Sequence, residues 1–283
     1  MSDMDTAHLE KWVGNEQTSE ALISVETVNL MAATLDREPT FKAGDPLPPA
    51  WHWLYFHEAV PASGLGHEGH AKLGGFLPPV PLPRRMWAGG RFAFEQPVKI
   101  GELATKRSTV KSVTPKQGRT GQLCFVIVEH EVSVEGVHCF TEHQTIVYRD
   151  APKPGSSPEP QAAPEGAEIS ASYVSDPIML FRYSALTFNG HRIHYDVDYC
   201  REVEGYPDLV VHGPLMSTLL LDLCYNQYKD EALVGFKYQA RSPLFNPSKF
   251  TVNGIRDGQT VQTWVANEAG GLIMDATAEL AAK

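Results

Sequence analysis

The segment 189-NGHRIH-194 gathers a carboxamide and two imidazoles within six positions, and a carboxylate follows at Asp196. Imidazole is the side chain whose ordinary pKa lies near neutrality, so His191 or His194 can take up and return a proton. His194 stands between Ile193 and Tyr195, which points to a partly buried ring. Such a ring either stays neutral and hydrogen-bonded or is put to use. His191 reads equally well as a packing or surface residue. Two histidines at this spacing can also hold a metal, but Gly190 and the lack of a third ligand nearby argue against one. Asp196 either orients His194 or caps a following helix. A second feature is 211-VHGPL-215. There the Gly213 amide sits where a buried helix begins, and free N–H groups at such an end suit a carbonyl oxygen gathering negative charge. The plainer reading is a helix entry punctuated by Gly and Pro.

These groups need a frame to hold them. Helical spacing is expected over 176–186, briefly over 196–204, and most strongly over 212–228. Pro214 falls in the first turn of that last helix, where its missing N–H does no harm. Leu and Met surround nearly every face, so the helix should be buried. Strands are expected at 235–242, 248–258, 259–270 and 272–280. The first half has the same order. Val25, Val28, Met31, Ala32 and Leu35 recur at helical spacing over 24–36, with Ser24 as cap, and strands follow at 91–98, 103–116, 122–134 and 140–149. Gly101, the 118-GRTG-121 turn and Gly136 separate them. Between the halves, 151-APKPGSSPEPQAAPEGAE-168 has no aromatic or β-branched residue to repay the entropy of ordering. The expected division is a module over 1–150, a linker over 151–170 and a second module over 171–283 that carries the histidines. Helix first and antiparallel strands after, twice over, imply an α+β fold: an internal duplication of a helix-on-sheet module, or double hotdog.

The totals narrow the function classes. The 283 residues carry 34 acids against 24 bases, a formal charge of −10, which argues against a nucleic-acid partner. A local basic patch can still hold a polyanionic small molecule. The four cysteines show no CxxC pairing and are expected to be reduced thiols. No apolar run reaches the roughly 18 residues of a membrane span. The opening MSDMDTAHLEKW is acidic and lacks the apolar core of a secretory signal, so a cytoplasmic protein is expected. Neither a P-loop nor a GxGxxG after a strand is present, so no nucleotide cofactor is implied.

The strings 182-RYSALTFNGHRIHYD-196 and 206-YPDLVVHGPL-215 resemble the MaoC-like (R)-specific enoyl-CoA hydratases, in a branch whose motif reads Y-S-x-L-T-F-N-x-H-x-I-H-Y-D. The strings 46-PLPPAWHWLYF-56 and 74-GGFLPPVPLPRRMWAGGRFAF-94 resemble the same branch, which includes double-hotdog hydratases of itaconyl-CoA and 3-methylfumaryl-CoA, the mesaconyl-CoA group. The resemblance implies a hydro-lyase acting on a small acyl-CoA, with no cofactor beyond the coenzyme A of its substrate. In the wider family the motif D-x-N-P-[ILV]-H holds the water that adds to the double bond. Its His falls on His194, its Asp on Asn189, its Asn on His191 and its Pro on Arg192. A carboxamide cannot accept a proton near neutral pH. The implied chemistry therefore has Asn189 orienting water, His194 acting as base and the Gly213 N–H polarising the thioester carbonyl.

A dicarboxylic acyl group needs a cation for its free carboxylate, and Arg192, Arg84, Arg85 and Arg91 are candidates, with Arg182 beside them. The Pro- and Trp-rich passage of the first half is expected to wall an acyl or pantetheine channel or simply to pack. Three other readings stay open: a 3-hydroxyacyl-thioester dehydratase working on a carrier protein, a thioesterase, and a hotdog that binds acyl-CoA without turning it over. Further pairing of the intrachain pseudo-dimer into a homo-oligomer is also open.

Overall fold

The computed structural model describes residues 4–118, 121–150 and 160–283. Part of the expected 118–121 turn and residues 151–159 of the expected linker lie outside these. The elements run α1 (Thr6–Leu9), β1 (Glu16–Leu22), α2 (Val25–Thr34), β2 (Arg84–Phe94), β3 (Leu103–Gly118), β4 (Gly121–Val134), β5 (Val137–Arg149) and β6 (Ile169–Ser175). They continue α3 (Pro177–Leu186), α4 (Val197–Tyr199), α5 (Gly213–Gln227), β7 (Glu231–Ala240), β8 (Ser248–Asp257), β9 (Thr260–Asn267) and β10 (Leu272–Ala282). The strands form one antiparallel sheet of ten in the order β1-β3-β4-β5-β2-β7-β10-β9-β8-β6. From each edge inward the order is the same, β1-β3-β4-β5-β2 and β6-β8-β9-β10-β7, which is the double hotdog. The halves meet where β2 pairs with β7, from Gly89↔Gln239 to Ala93↔Gly235. A side chain at Gly89 would bring its Cβ to 2.5 Å from the Tyr238 carbonyl oxygen, so the seam closes only on a glycine.

The edge strands β1 and β6 are absent from the sequence-based reading. Most of β1 is solvent-exposed, and its sequence EQTSEAL lacks an alternating apolar face. A strand paired on one side and wet on the other gives little periodic signal. The linker expectation also needs correcting. Ala163 N–H donates to Gly270 O, Leu272 N–H to Gln161 O and Glu168 N–H to Gly254 O, and β6 begins at Ile169. Residues 161–168 therefore pair with the β9–β10 turn and with β8, and 169–170 belong to β6, rather than forming a free tether. Backbone pairing supplies what their composition does not.

The halves differ in what covers the sheet. In the C-terminal half the 15-residue α5 lies across β6–β10, with Leu215, Leu219, Leu220, Leu221 and Cys224 fully buried. In the N-terminal half the 10-residue α2, capped by Ser24 accepting from the Thr27 N–H, packs on α3 and on a helical turn at Trp51–Leu54. That turn packs on Phe92 of β2 and Phe140 of β5, and two buried carboxylates hold it. Glu142 of β5 accepts from His52 Nε2 (2.8 Å) and Trp53 Nε1 (3.1 Å). Asp222 of α5 accepts from Trp51 Nε1 (3.2 Å) and pairs with Arg37 (2.7 Å). Replacing Asp222 with Ala strips the acceptor from both Arg37 and Trp51, and is expected to cost about 3 kcal/mol. Chemical denaturation with both halves followed by tryptophan fluorescence measures that loss.

Candidate functional site

The local chain path explains how the imidazoles assemble. Helix α3 ends at Leu186, and Phe188 takes a left-handed turn at φ 50°. Asn189 then donates its N–H to Ser184 O (2.8 Å), while its Oδ1 accepts the His191 N–H (3.0 Å). The carboxamide thus shapes the loop, and its Nδ2 remains the group able to orient a water. Arg192–His194 form one tight helical turn, and Asp196 caps α4 by accepting the Tyr199 N–H (3.0 Å). The other Asp196 oxygen pairs with Arg192 at 2.8 Å. Asp196 is thereby engaged as a cap and ion-pair partner, turned to the Arg192 side of the loop.

His194 is buried, and its Nδ1 lies 2.7 Å from the Val210 carbonyl oxygen. A carbonyl only accepts, so Nδ1 carries the hydrogen and Nε2 keeps a lone pair. Burial pushes the His194 pKa down to about 4, with the Val210 hydrogen bond opposing. At neutral pH the ring is therefore an uncharged base of fixed tautomer. His212 stacks on it with centroids 3.6 Å apart and planes 19° apart, and is itself held through Nε2 by the Ser184 hydroxyl (2.8 Å). His212 is also the residue from which α5 springs. No side chain caps that helix, and a Cβ added at Gly213 would meet nothing within 4 Å. A helix N-terminus without a side-chain cap beside a neutral imidazole can serve an acyl thioester as oxyanion hole and proton carrier.

A further imidazole, absent from the sequence-based reading, comes from the other half. His70 lies with its ring 4.3 Å from that of His191, which in turn is 5.6 Å from His194. The stretch 66-GHEGH-70 was its signal, two histidines among glycines, but a loop carries no periodicity to say where it docks. Burial first, and then the neighbouring charges of His194 and Arg85, hold the His191 pKa down to about 3. The candidate arginines separate clearly. Arg84 is tied to Glu204 (3.0 Å) and Arg192 to Asp196, while Arg91 lies beside His143 (3.4 Å) at an exposed position. Arg182 is exposed on α3. Arg85 alone of these acts on the imidazole cluster. Two cavities of about 370 and 260 Å³ flank the end of α3 and share Tyr55, Phe56 and His57, and neither is lined by His194 or Gly213.

His130, another buried imidazole of the N-terminal half, is likewise pushed down to about 4, chiefly by burial. Each of these depressed histidines contributes stability that is fully present above the unfolded value of 6.5 and lost as pH falls toward the folded pKa. In that window the unfolded chain binds the extra protons, at about 1.4 kcal/mol per pH unit for each group. The melting temperature is expected to hold above pH 7 and to drop steeply between pH 6.5 and pH 4.5, as scanning calorimetry across that range reads directly.

A family model described as hydroxyacyl-thioester dehydratase type 2 matches residues 50–246. The chain is 39% identical to the mesaconyl-C(4)-CoA hydratase of Chloroflexus aurantiacus over 279 residues, covering 98% of this chain and 99% of that one. Among solved structures, HtdX of Mycobacterium tuberculosis superposes with a TM-score of 0.66 at 16% identity, over 93% of this chain and 98% of that one. A second Mycobacterium tuberculosis protein, described as having a double hotdog fold, superposes with a TM-score of 0.56 at 12% identity, over 95% and 96% of the two chains. These two show the fold alone. With the family model spanning both halves and the hydratase matching end to end, the chain belongs to the hydroxyacyl-thioester dehydratase type 2 family of MaoC-like hotdog proteins, and is a hydro-lyase.

Proposed function

We propose that this hydro-lyase adds water reversibly across the double bond of a short branched dicarboxylic enoyl-CoA of the 3-methylfumaryl (mesaconyl-C4) or itaconyl type. The observation that carries the reading is the pairing of His194, neutral and fixed with Nε2 unprotonated, with the N-terminus of α5 at Gly213, which no described side chain caps. The 39% identity to a mesaconyl-C(4)-CoA hydratase supports the substrate class. Water is oriented by Asn189 Nδ2 and gives one proton to His194 Nε2 as its oxygen bonds to C3. The C2=C3 electrons move toward the thioester, and the resulting enolate oxygen is stabilised by the Gly213 N–H. The imidazolium then returns the proton to C2, so one water is added and the histidine is regenerated. His191, beside His194, keeps the ring pair desolvated. Proton transfer and oxyanion stabilisation together need no metal, flavin or nicotinamide.

The test is a panel of enoyl-CoA thioesters followed by loss of the conjugated thioester absorbance. Wild type is expected to hydrate 3-methylfumaryl-CoA faster than crotonyl-CoA. His194→Gln should lower kcat by about 1,000-fold or more with an unchanged melting temperature, since it removes the only proposed base. Turnover retained in His194→Gln moves the proton transfer to His191. Faster dehydration of a 3-hydroxyacyl group on a carrier protein than of any CoA ester replaces the substrate assignment.

A further inference from the structure

Helix α3 supplies none of the groups that carry the proposed chemistry, yet its last turn is bonded to the residues on either side of them. The helix closes on a Schellman-type cap with Phe188 in the left-handed position. The Phe188 N–H donates to Ala185 O (3.3 Å), and the Asn189 N–H donates to Ser184 O (2.8 Å). Thr187 Oγ1 donates to Tyr183 O (2.7 Å), so the end of the helix is tied down by its own chain. The Ser184 carbonyl therefore fixes the point from which Asn189 and its carboxamide set out.

The other polar atom of Ser184 reaches a different element. Its hydroxyl lies 2.8 Å from His212 Nε2, and both residues are buried. His212 Nδ1 has no partner among the described residues, so the bond to Ser184 is the only hydrogen bond that this ring makes there. The ring is otherwise held by packing. Tyr183, the neighbour of Ser184 on α3, meets it edge-on at 4.9 Å, and His194 stacks on its face at 3.6 Å. Without the hydroxyl, nothing directional stops the ring from turning about its Cβ–Cγ bond. The main chain of His212 opens α5: its carbonyl accepts the Met216 N–H (3.2 Å), and Gly213 is the next residue. A shift of His212 thus moves the surface on which His194 rests and the backbone that aims the Gly213 N–H.

We infer that Ser184 is a positioning residue of the reaction: its carbonyl sets Asn189, and its hydroxyl sets His212 and, through it, both the His194 ring and the Gly213 N–H. The inference rests on the roles given above to Asn189, His194 and Gly213. Alanine is the better helix former at such a position, so the helix itself gains nothing from the hydroxyl. Ser184→Ala removes the hydroxyl and leaves the carbonyl, which isolates the tie to His212. A small misplacement of reacting groups lowers turnover while the contacts that hold the coenzyme are unchanged, so the loss falls on kcat and spares KM.

The experiment measures kcat and KM on the best substrate of the enoyl-CoA panel in wild type, Ser184→Ala, His212→Phe and the double variant, with melting curves for each. His212→Phe keeps an aromatic ring against His194 but cannot bond the hydroxyl. Each single variant is expected to lose roughly 20-fold in kcat with KM within about twofold of wild type. Introduced into His212→Phe, Ser184→Ala is expected to cost less than about twofold more, since the bond it breaks is already gone. A folded Ser184→Ala with wild-type kcat overturns the inference, as do losses that multiply in the double variant or a loss confined to KM. Should Ser184→Ala fail to fold, wild-type kcat in His212→Phe overturns it. An inactive His194→Gln beside a fully active Ser184→Ala removes the positioning role alone. Turnover retained in His194→Gln removes the assigned base, and the inference with it.

Discussion

Two carboxylates that never reach solvent hold one turn of chain, and that turn ties the two halves of the protein together. Glu142 and Asp222 are each about 1% exposed, one on a strand of the first half and the other on the long helix of the second. A buried carboxylate is tolerable only with donors around it, and the donors are consecutive residues, Trp51 for Asp222 and His52 and Trp53 for Glu142. Burial pushes both acids up. The donors around Glu142 outweigh that and hold its pKa below the ordinary value, while Asp222 stays raised despite Arg37. The turn therefore ties the halves through charge as well as packing. Trp53, pinned by Glu142, lies against Trp87 of β2 at 4.7 Å and Tyr238 of β7 at 6.4 Å, over the strand seam that joins the modules.

This arrangement releases the duplication from symmetry. Both halves keep the same strand order, but only one keeps a long buried helix with an open N-terminus. Where the first half lacks such a helix, the chain from Asp36 to Pro83 is free of strands and long helices and can run across to the other module. The His67–His70 loop belongs to this stretch, and the Gly69–Gly190 contact shows how closely it docks. The stretch that stands in place of a long helix in one module thus packs against the histidine segment of the other.

Much of this was legible in the residues, and the failures have physical causes. The buried helix at α5, its Pro214 entry and the Ser24 cap all leave local signatures, because helix ends and all-apolar faces are properties of short sequence windows. The strands buried on at least one face were readable for the same reason. The edge strands β1 and β6 were not: most side chains of β1 face water, and β6 turns inward only a short, mostly small set of residues around Tyr173. The span 160–168 looked like a tether because composition reports apolar burial and is silent on hydrogen bonds to a neighbouring strand. In the site, His194 and Gly213 could be placed because each sits in a local pattern. His70 and the Glu142–Asp222 anchor could not, since their contacts are with partners more than seventy positions away in the sequence.

Asn189 makes sense only when substrate and site are considered together. The wider motif places an acid at this position, and a second negative charge there is harmless when the substrate's reacting carbon bears only hydrocarbon. A dicarboxylic substrate changes the balance, for its own carboxylate sits on the carbon that water attacks. Two carboxylates within a few ångströms in a desolvated pocket repel, and one of them must then take up a proton or leave. A carboxamide removes the conflict and still orients water through Nδ2, while its Oδ1 stays engaged with the His191 N–H and keeps the loop in shape. On the proposed reading, the proton that an acid would have handled falls to His194, whose tautomer the Val210 carbonyl fixes and whose burial keeps it a free base. With a dicarboxylic substrate as proposed, the exchange of acid for amide withdraws a negative charge from the place where the substrate would bring its own.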